Sequence, residues 1–372
     1  MGHGRTAGEV GARQRGARAP AQRVPRVDGR IPALDGLRAL SIGLVLLAHL
    51  IGTRGFPDVG ALGRVELGNL GVRVFFVISG FLITTLLLEE VDRSGAVSLW
   101  QFYLRRVFRI FPAFYVFCAA LYVLDRAEVL ALRSGDLTAA LTYTMNYHRD
   151  RAWYVGHLWS LSVEEQFYLL WPALLVIAGV QGGMRVAAAA ILVAPSLRLA
   201  MAIWPSLRPG IGETFPSVAD ALATGCLLAG VRPWLARAAR WQAFLRSRWF
   251  WLVPAAVVLA AANPSAKLDW LAGQTAMNLG IAAVIERLLC VPESPLARLL
   301  DTRPLVLVGQ LSYSLYLWQQ LLLNRRGSSV LQSFPWNVLL VGLVAAASYG
   351  AVERPMLRLR VRLERRLRRP RG

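Results

Sequence analysis

The chain has 372 residues, 55% of them hydrophobic and 17% charged, with a formal net charge of +20. So apolar a composition excludes a string of ordinary soluble domains and points to a protein that crosses a membrane many times. In a soluble protein the positive charge would suggest nucleic acid; here the arginines flank apolar runs and no basic patch is interleaved with aromatics, so no nucleic-acid partner is expected and the arginines read as topology signals and contacts to membrane lipids.

Residues 1–30 are rich in Arg, Gly, Ala and Pro and lack an apolar core, the composition of a disordered basic cytoplasmic tail. A cleavable signal peptide is not expected, because the positive segment is too long and the apolar run that follows carries Arg38. That run, Ile31 to Ile51, is about long enough to span a bilayer as a helix. A short loop from Thr53 to about Glu66 leads into a second span, Leu67 to Leu88. An amphipathic piece, Ser98 to Arg109, sets Arg105, Arg106 and Arg109 as a cationic collar before a third span, Ile110 to about Leu124. A polar excursion over residues 126–156 follows, with Leu137 to Tyr147 as a short interfacial helix. The fourth span opens at His157 and runs to about Ala178.

Further apolar runs lie near 185–204, 217–231, 249–262, 270–290, 304–323 and 336–352. The fold class expected is therefore all-α, a polytopic integral membrane bundle of about ten transmembrane helices. Arg93 with the collar, Arg185, Arg232 to Arg248, Arg298 with Arg303, and Arg354 to Arg371 fall on one side, which places both termini in the cytoplasm. Arg149, Arg151, Arg325 and Arg326 are the exceptions.

Cys118, Cys226 and Cys290 each sit inside an apolar run, as small packing residues do, and suggest no disulfide. His3, His49, His148 and His157 show no ligand spacing, so no metal is expected. Lys267 is the only lysine among abundant arginine and alanine, the bias of a GC-rich bacterial genome.

Two ionisable residues in the first span organise the candidate chemistry. At about 100° and 1.5 Å per residue, Arg38 and His49 fall within roughly 20° of one face and about 16 Å apart. Charges inside a membrane default to function, against the plainer reading that Arg38 reaches a headgroup and His49 an interface. On this topology His49 lies roughly 5 Å, and Glu164 or Glu165 roughly 10 Å, from the outer boundary. A carboxylate at that depth would orient the imidazole as a general base toward an alcohol, with a structural pair as the competing reading. Adjacent helical residues point about 100° apart, so one glutamate faces His49, Glu164 for preference. Arg106 and Arg109 suit donor phosphates entering from the cytoplasm, or simply obey the positive-inside rule. Arg73, in the outer half of the second span, is expected to pair with a glutamate of the fourth.

Several ordered motifs carry a resemblance. Leu34-Asp35-Gly36-Leu37-Arg38 with His49, Gly71-Val72 with Phe75 to Phe81, Arg106 with Arg109-Ile110 and Pro112, and His157-Leu158-Trp159-Ser160 through Glu164-Glu165-Gln166-Phe167-Tyr168 are similar to successive signatures of the membrane acyltransferase-3 family. Ser312-Tyr313-Ser314-Leu315-Tyr316-Leu317-Trp318 and Glu353-Arg354-Pro355 resemble its late signatures. The family includes O-antigen acetylases and macrolide acyltransferases.

The resemblance implies a transmembrane acyltransferase domain over residues 31–356, followed by a basic cytoplasmic tail at 357–372, in a bacterial cell membrane. It implies transfer of an acetyl or other short acyl group from acetyl-CoA or another acyl-CoA to a hydroxyl of a macrolide-type natural product or a cell-envelope glycan. Carried over by motif, His49 is the catalytic histidine, Arg38 its partner, Arg106 with Arg109 the donor-binding pair, and Tyr313 and Trp318 substrate contacts. His49 would act as base, or as a nucleophile forming an acyl-imidazole. The late family motif usually ends Tyr-Leu-Trp-His, whereas this chain reads Gln319 there, which removes a titratable group. Larger members add an extracytoplasmic hydrolase-like domain, for which these residues leave no room. The rival class is a transporter or flippase of a polar lipid or sugar, which would show repeated halves that are not visible here.

Overall fold

The structure is a computed structural model that describes residues 31–327 and 329–367; the tail expected over 1–30 lies outside them. Among the described residues every regular element is helical. Helix α1 (Pro32–Leu50) starts on a proline at its first position, where the missing N–H costs nothing. Helices α2 (Leu67–Ser94) and α3 (Leu99–Arg126) follow. The Ser98 hydroxyl accepts from the Gln101 N–H and so fixes the start of α3. The expected amphipathic piece is thus no separate element: Arg105, Arg106 and Arg109 sit within α3 itself. The excursion that follows contains the short helix α4 (Asp136–Leu141), shorter than expected.

Helix α5 (Leu158–Ile203) has 46 residues and is broken at Gly179, whose φ of +68° only glycine adopts without strain. At 1.5 Å per residue an unbroken helix would be about 70 Å long, far more than a bilayer's apolar core of about 30 Å. The break divides it into two arms of membrane length, residues 158–178 and 180–203. Then come α6 (Phe215–Leu235), α7 (Ala239–Arg246), α8 (Leu252–Ala261), the single turn α9 (Ala266–Leu268), α10 (Gln274–Cys290), α11 (Pro295–Leu300) and α12 (Arg303–Leu322). Helix α13 (Trp336–Ser348) passes through a wide turn, Tyr349–Glu353, into α14 (Arg354–Leu367), so the expected basic tail begins as a continuation of a spanning helix.

Each apolar run read from the sequence is helical, but the expected count of about ten spans is not reached on length and apolarity. Six helices satisfy both, or seven if the pair 239–246 and 248–261, bent by 72°, is one span. The shortfall has physical reasons. The two arms of α5 count once, α10 has 17 residues, and the last turn of α12 carries Gln319 and Gln320. Ile177, Leu192 and Leu259 are more than two-thirds exposed, as side chains facing lipid would be.

Glycines set the closest helix contacts. A Cβ at Gly36 would run into the Leu300 carbonyl and one at Gly309 into that of Asp35, which locks α1 against α11 and α12. Gly80 and Gly225 face the Leu222 and Val77 carbonyls in the same way and bring α2 onto α6. The Ser41 hydroxyl donates to the Gly71 carbonyl at 2.5 Å and ties α1 to α2. Helix α1 is therefore held on two flanks, and its Arg38 faces an interior shared by α2, α3, α5 and α12.

Candidate active site

Two adjoining cavities occupy that interior. The first begins beside Ile31 and Leu34 at the amino-terminal end of α1, the side on which α3 also starts. The second continues inward past Ser160, Glu164, Tyr313 and Tyr316. Arg38, Ser79, Arg106, Arg109 and Tyr168 line both, so the two form one recess.

Arg38 reaches back to Asp35, Nη1 lying 3.2 Å from Oδ1, a pair three residues apart on one helical face. Arg106 lies with its guanidinium carbon 4.9 Å from the centroid of the Tyr168 ring and 5.4 Å from that of Phe102. These stacking contacts orient the fork without using its hydrogens, and the buried Nε has no partner among the described residues. Arg109 is exposed on the recess wall and forms no ion pair among those residues. Arg105, by contrast, is engaged by Glu90 at 3.4 Å. The recess thus sets three guanidiniums, one with an unused buried donor that an anion could take up, beside the carboxyl groups of Asp35, Glu164, Glu165 and Glu353.

Glu164 lies in this recess and not at His49. Its carboxylate accepts from the Ser79 and Tyr168 hydroxyls, and Glu165 lines the same cavity. The expected carboxylate–imidazole pair is therefore not formed. The reason is depth: His157, just before α5, takes the level of His49, and seven residues separate it from Glu164, about 10 Å along a helix.

His49 is held instead by amides. Its Nδ1 is 2.6 Å from Gln319 Oε1 and its Nε2 is 3.3 Å from Gln320 Nε2. Trp153 packs edge-on against the ring, with centroids 5.6 Å apart. Beyond Gln320 lies His157, whose backbone N–H and Nδ1 are 2.9 and 2.8 Å from Gln320 Oε1 and whose Nε2 is 3.0 Å from the Leu317 carbonyl. The Tyr316 hydroxyl meets Ser160 Oγ at 2.5 Å and donates to the His157 carbonyl at 3.0 Å. Tyr316, Ser160 and His157 thus form a layer at the inner wall of the recess, and His49 lies beyond it, lining neither cavity.

The remaining sequence candidates divide. Tyr313 lines the recess while its hydroxyl donates to the Ile110 carbonyl at 2.9 Å. Trp318 is buried and edge-on to Phe117 at 5.2 Å between centroids, away from both cavities. Arg73 is 1% exposed and finds no glutamate of α5. Its three nitrogens donate to Asn69, Asn278 and Gln274 at 3.2, 3.1 and 2.5 Å. Sequence reasoning missed Gln320, Ser79, Tyr168 and His157 as site groups. Ser79, His157 and Tyr168 stood inside motifs of the resemblance, but Gln320 carried no signal beyond being polar at the end of an apolar run.

A family model described as an acyltransferase domain matches residues 31–351. Among curated relatives, a peptidoglycan O-acetyltransferase OatA of Listeria monocytogenes is 34% identical over 166 residues, 40% of this chain and 24% of that protein. An O-acetyltransferase OatA of Staphylococcus aureus is 27% identical over 358 residues, 88% of this chain and 57% of that protein. The chain thus spans at most little more than half the length of these relatives. No solved structure matches.

Proposed function

The chain belongs to this acyltransferase family, and from that premise we propose that it is an integral-membrane O-acyltransferase that places an acetyl group on a hydroxyl of a cell-envelope glycan. The observation that carries the reading is the division of labour along α1. Arg38 opens into an arginine-lined recess at one end, and His49 stands at the other with its ring fixed by two amides. The named activities of the relatives favour a glycan over a macrolide-type acceptor.

In this proposal the donor is acyl-CoA, and the recess opens to the cytoplasm, where both termini lie. Residues 31–356 form the transmembrane domain, with ten spans when the arms of α5, the bent pair, α10 and α12 are each counted. Arg38, Arg106 and Arg109 hold donor phosphates, and the thioester end points inward toward Tyr313 and the Ser160–Tyr316 layer. The glycan hydroxyl approaches His49 from the opposite side. His49 takes the hydroxyl proton, the freed oxygen bonds to the acyl carbon, and the carbon–sulfur bond breaks with its electron pair leaving on sulfur, which then takes up a proton. The layer formed by Tyr316, Ser160 and His157 separates the two ends, so it must open for the acyl carbon to meet the acceptor.

The test is acceptor-dependent release of coenzyme A by purified protein in detergent, with acetyl-CoA and a peptidoglycan fragment. No gradient exists there, so a transporter would leave the thioester intact. His49→Ala should abolish release while thermal unfolding stays near that of the parent. Turnover by that variant at the parent rate would sink the mechanism.

A further inference from the structure

The hydrogen-bond network around His49 decides which of its ring nitrogens can act as a base, and a backbone N–H far from the ring makes the decision. A backbone N–H can only donate. That of His157 points at the amide of Gln320 from 2.9 Å, so the atom it meets must be the oxygen. The His157 ring does not decide this, since its Nδ1 faces the same atom at 2.8 Å and its Nε2 faces the Leu317 carbonyl at 3.0 Å, and a neutral ring has a proton for only one of them. With its oxygen turned to His157, Gln320 turns its NH₂ to His49, where it lies 3.3 Å from Nε2. An NH₂ needs a lone pair, so His49 Nε2 is bare and the proton sits on Nδ1. There Gln319 Oε1, 2.6 Å away, accepts it. Each assignment forces the next.

We propose that Gln320 and Gln319 are positioning residues that hold His49 in the Nδ1–H tautomer, with Nε2 as the basic atom and the Gln320 NH₂ occupying the place that the acceptor hydroxyl takes during reaction. Free imidazole side chains favour the opposite tautomer, so the two amides act against an intrinsic preference. The inference rests on the reading of His49 as the general base. Its structural half, the proton position, stands or falls separately.

Two neighbouring substitutions of the same chemistry should have opposite outcomes. Gln319→Glu keeps an acceptor at Nδ1, so the tautomer is retained and Nε2 stays bare. Gln320→Glu keeps an acceptor for the His157 N–H but turns a second oxygen toward His49, which draws a proton to Nε2. Its kcat should fall about 100-fold or more, the usual worth of a general base, with the donor KM unchanged. The direct readout is the ¹⁵N spectrum of the full chain labelled at histidine, with the His49 signal identified by its loss in His49→Gln. The parent and Gln319→Glu should show a protonated Nδ1 and a bare Nε2; Gln320→Glu should show a protonated Nε2. A protonated Nε2 in the neutral parent ring overturns the proposal, as does an equal loss of kcat in both folded variants. Because the spectrum of the parent needs no turnover, a protein with the expected tautomer but no acyl transfer would refute the proposed function alone.

Discussion

The Ser79 hydroxyl of α2 donates to the Glu164 carboxylate of α5, which joins two helices at the centre of the arginine-lined recess. Tyr168 donates to the same carboxylate from one turn further along α5, and Arg106 lies over the face of its ring. Glu164 therefore sets the ring against which Arg106, the arginine proposed to bind the donor, is stacked. Glu164→Ala leaves two buried hydroxyls without an acceptor, at about 1–3 kcal/mol each, and should lower the unfolding temperature and turnover together. Glu164→Gln keeps one oxygen in place and should recover most of the stability. Thermal unfolding in detergent beside an acetyl-transfer assay checks both.

Arg106 makes a sharper distinction between charge and shape. Its guanidinium is oriented by two aromatic faces and keeps an unused buried donor, an arrangement a lysine ammonium cannot reproduce. Arg106→Lys should therefore raise the donor KM about tenfold or more, close to Arg106→Ala, with the acceptor KM unchanged. Arg109, exposed at the recess wall, should be the more tolerant of lysine, because a flexible point charge serves there. Donor titrations of the three variants at one ionic strength make the comparison.

The apolar runs were legible because membrane helices are written in long, simple periodicities. Contacts across the bundle were not. The depth argument put Glu164 beside His49 because it measured both from assumed boundaries, and an offset of two turns moved the carboxylate into the recess with Ser79 and Tyr168. Gln319 and Gln320 reach His49 from 270 and 271 positions away, a juxtaposition with no local signature. Gln319 drew notice only as a departure from a motif, yet its Oε1 lies 2.6 Å from the His49 ring.

The meeting of α2 and α6 depends on missing side chains. A methyl at Gly80 would collide with the Leu222 carbonyl, which is backbone and cannot swing aside, whereas a methyl at Gly43 meets nothing within 4 Å. Gly80→Ala should destabilise by about 1–3 kcal/mol through overpacking. Gly43→Ala, in the exposed interior of α1, should leave stability unchanged or raise it by up to about 1 kcal/mol, since alanine is the better helix former. A lower unfolding temperature for Gly80→Ala and an unchanged or higher one for Gly43→Ala are the expected result.

Arg73 tests whether a buried intramembrane charge in this protein has to be functional. Its guanidinium binds three amide oxygens, on Asn69, Asn278 and Gln274, and so bridges α2 to α10 away from the recess. Arg73→Met removes a desolvated cation, which is favourable, but leaves the oxygens of Gln274 and Asn278 buried without donors at about 1–3 kcal/mol each, and that of half-buried Asn69 at less. The losses outnumber the gain, so the variant should unfold at a lower temperature. The fraction that remains folded should keep the parent's KM for donor and acceptor, because no part of the recess touches Arg73. Arg73→Lys should recover little, since one ammonium cannot span three oxygens set around a planar fork. A tenfold rise in either KM with the unfolding temperature unchanged would return Arg73 to the active site.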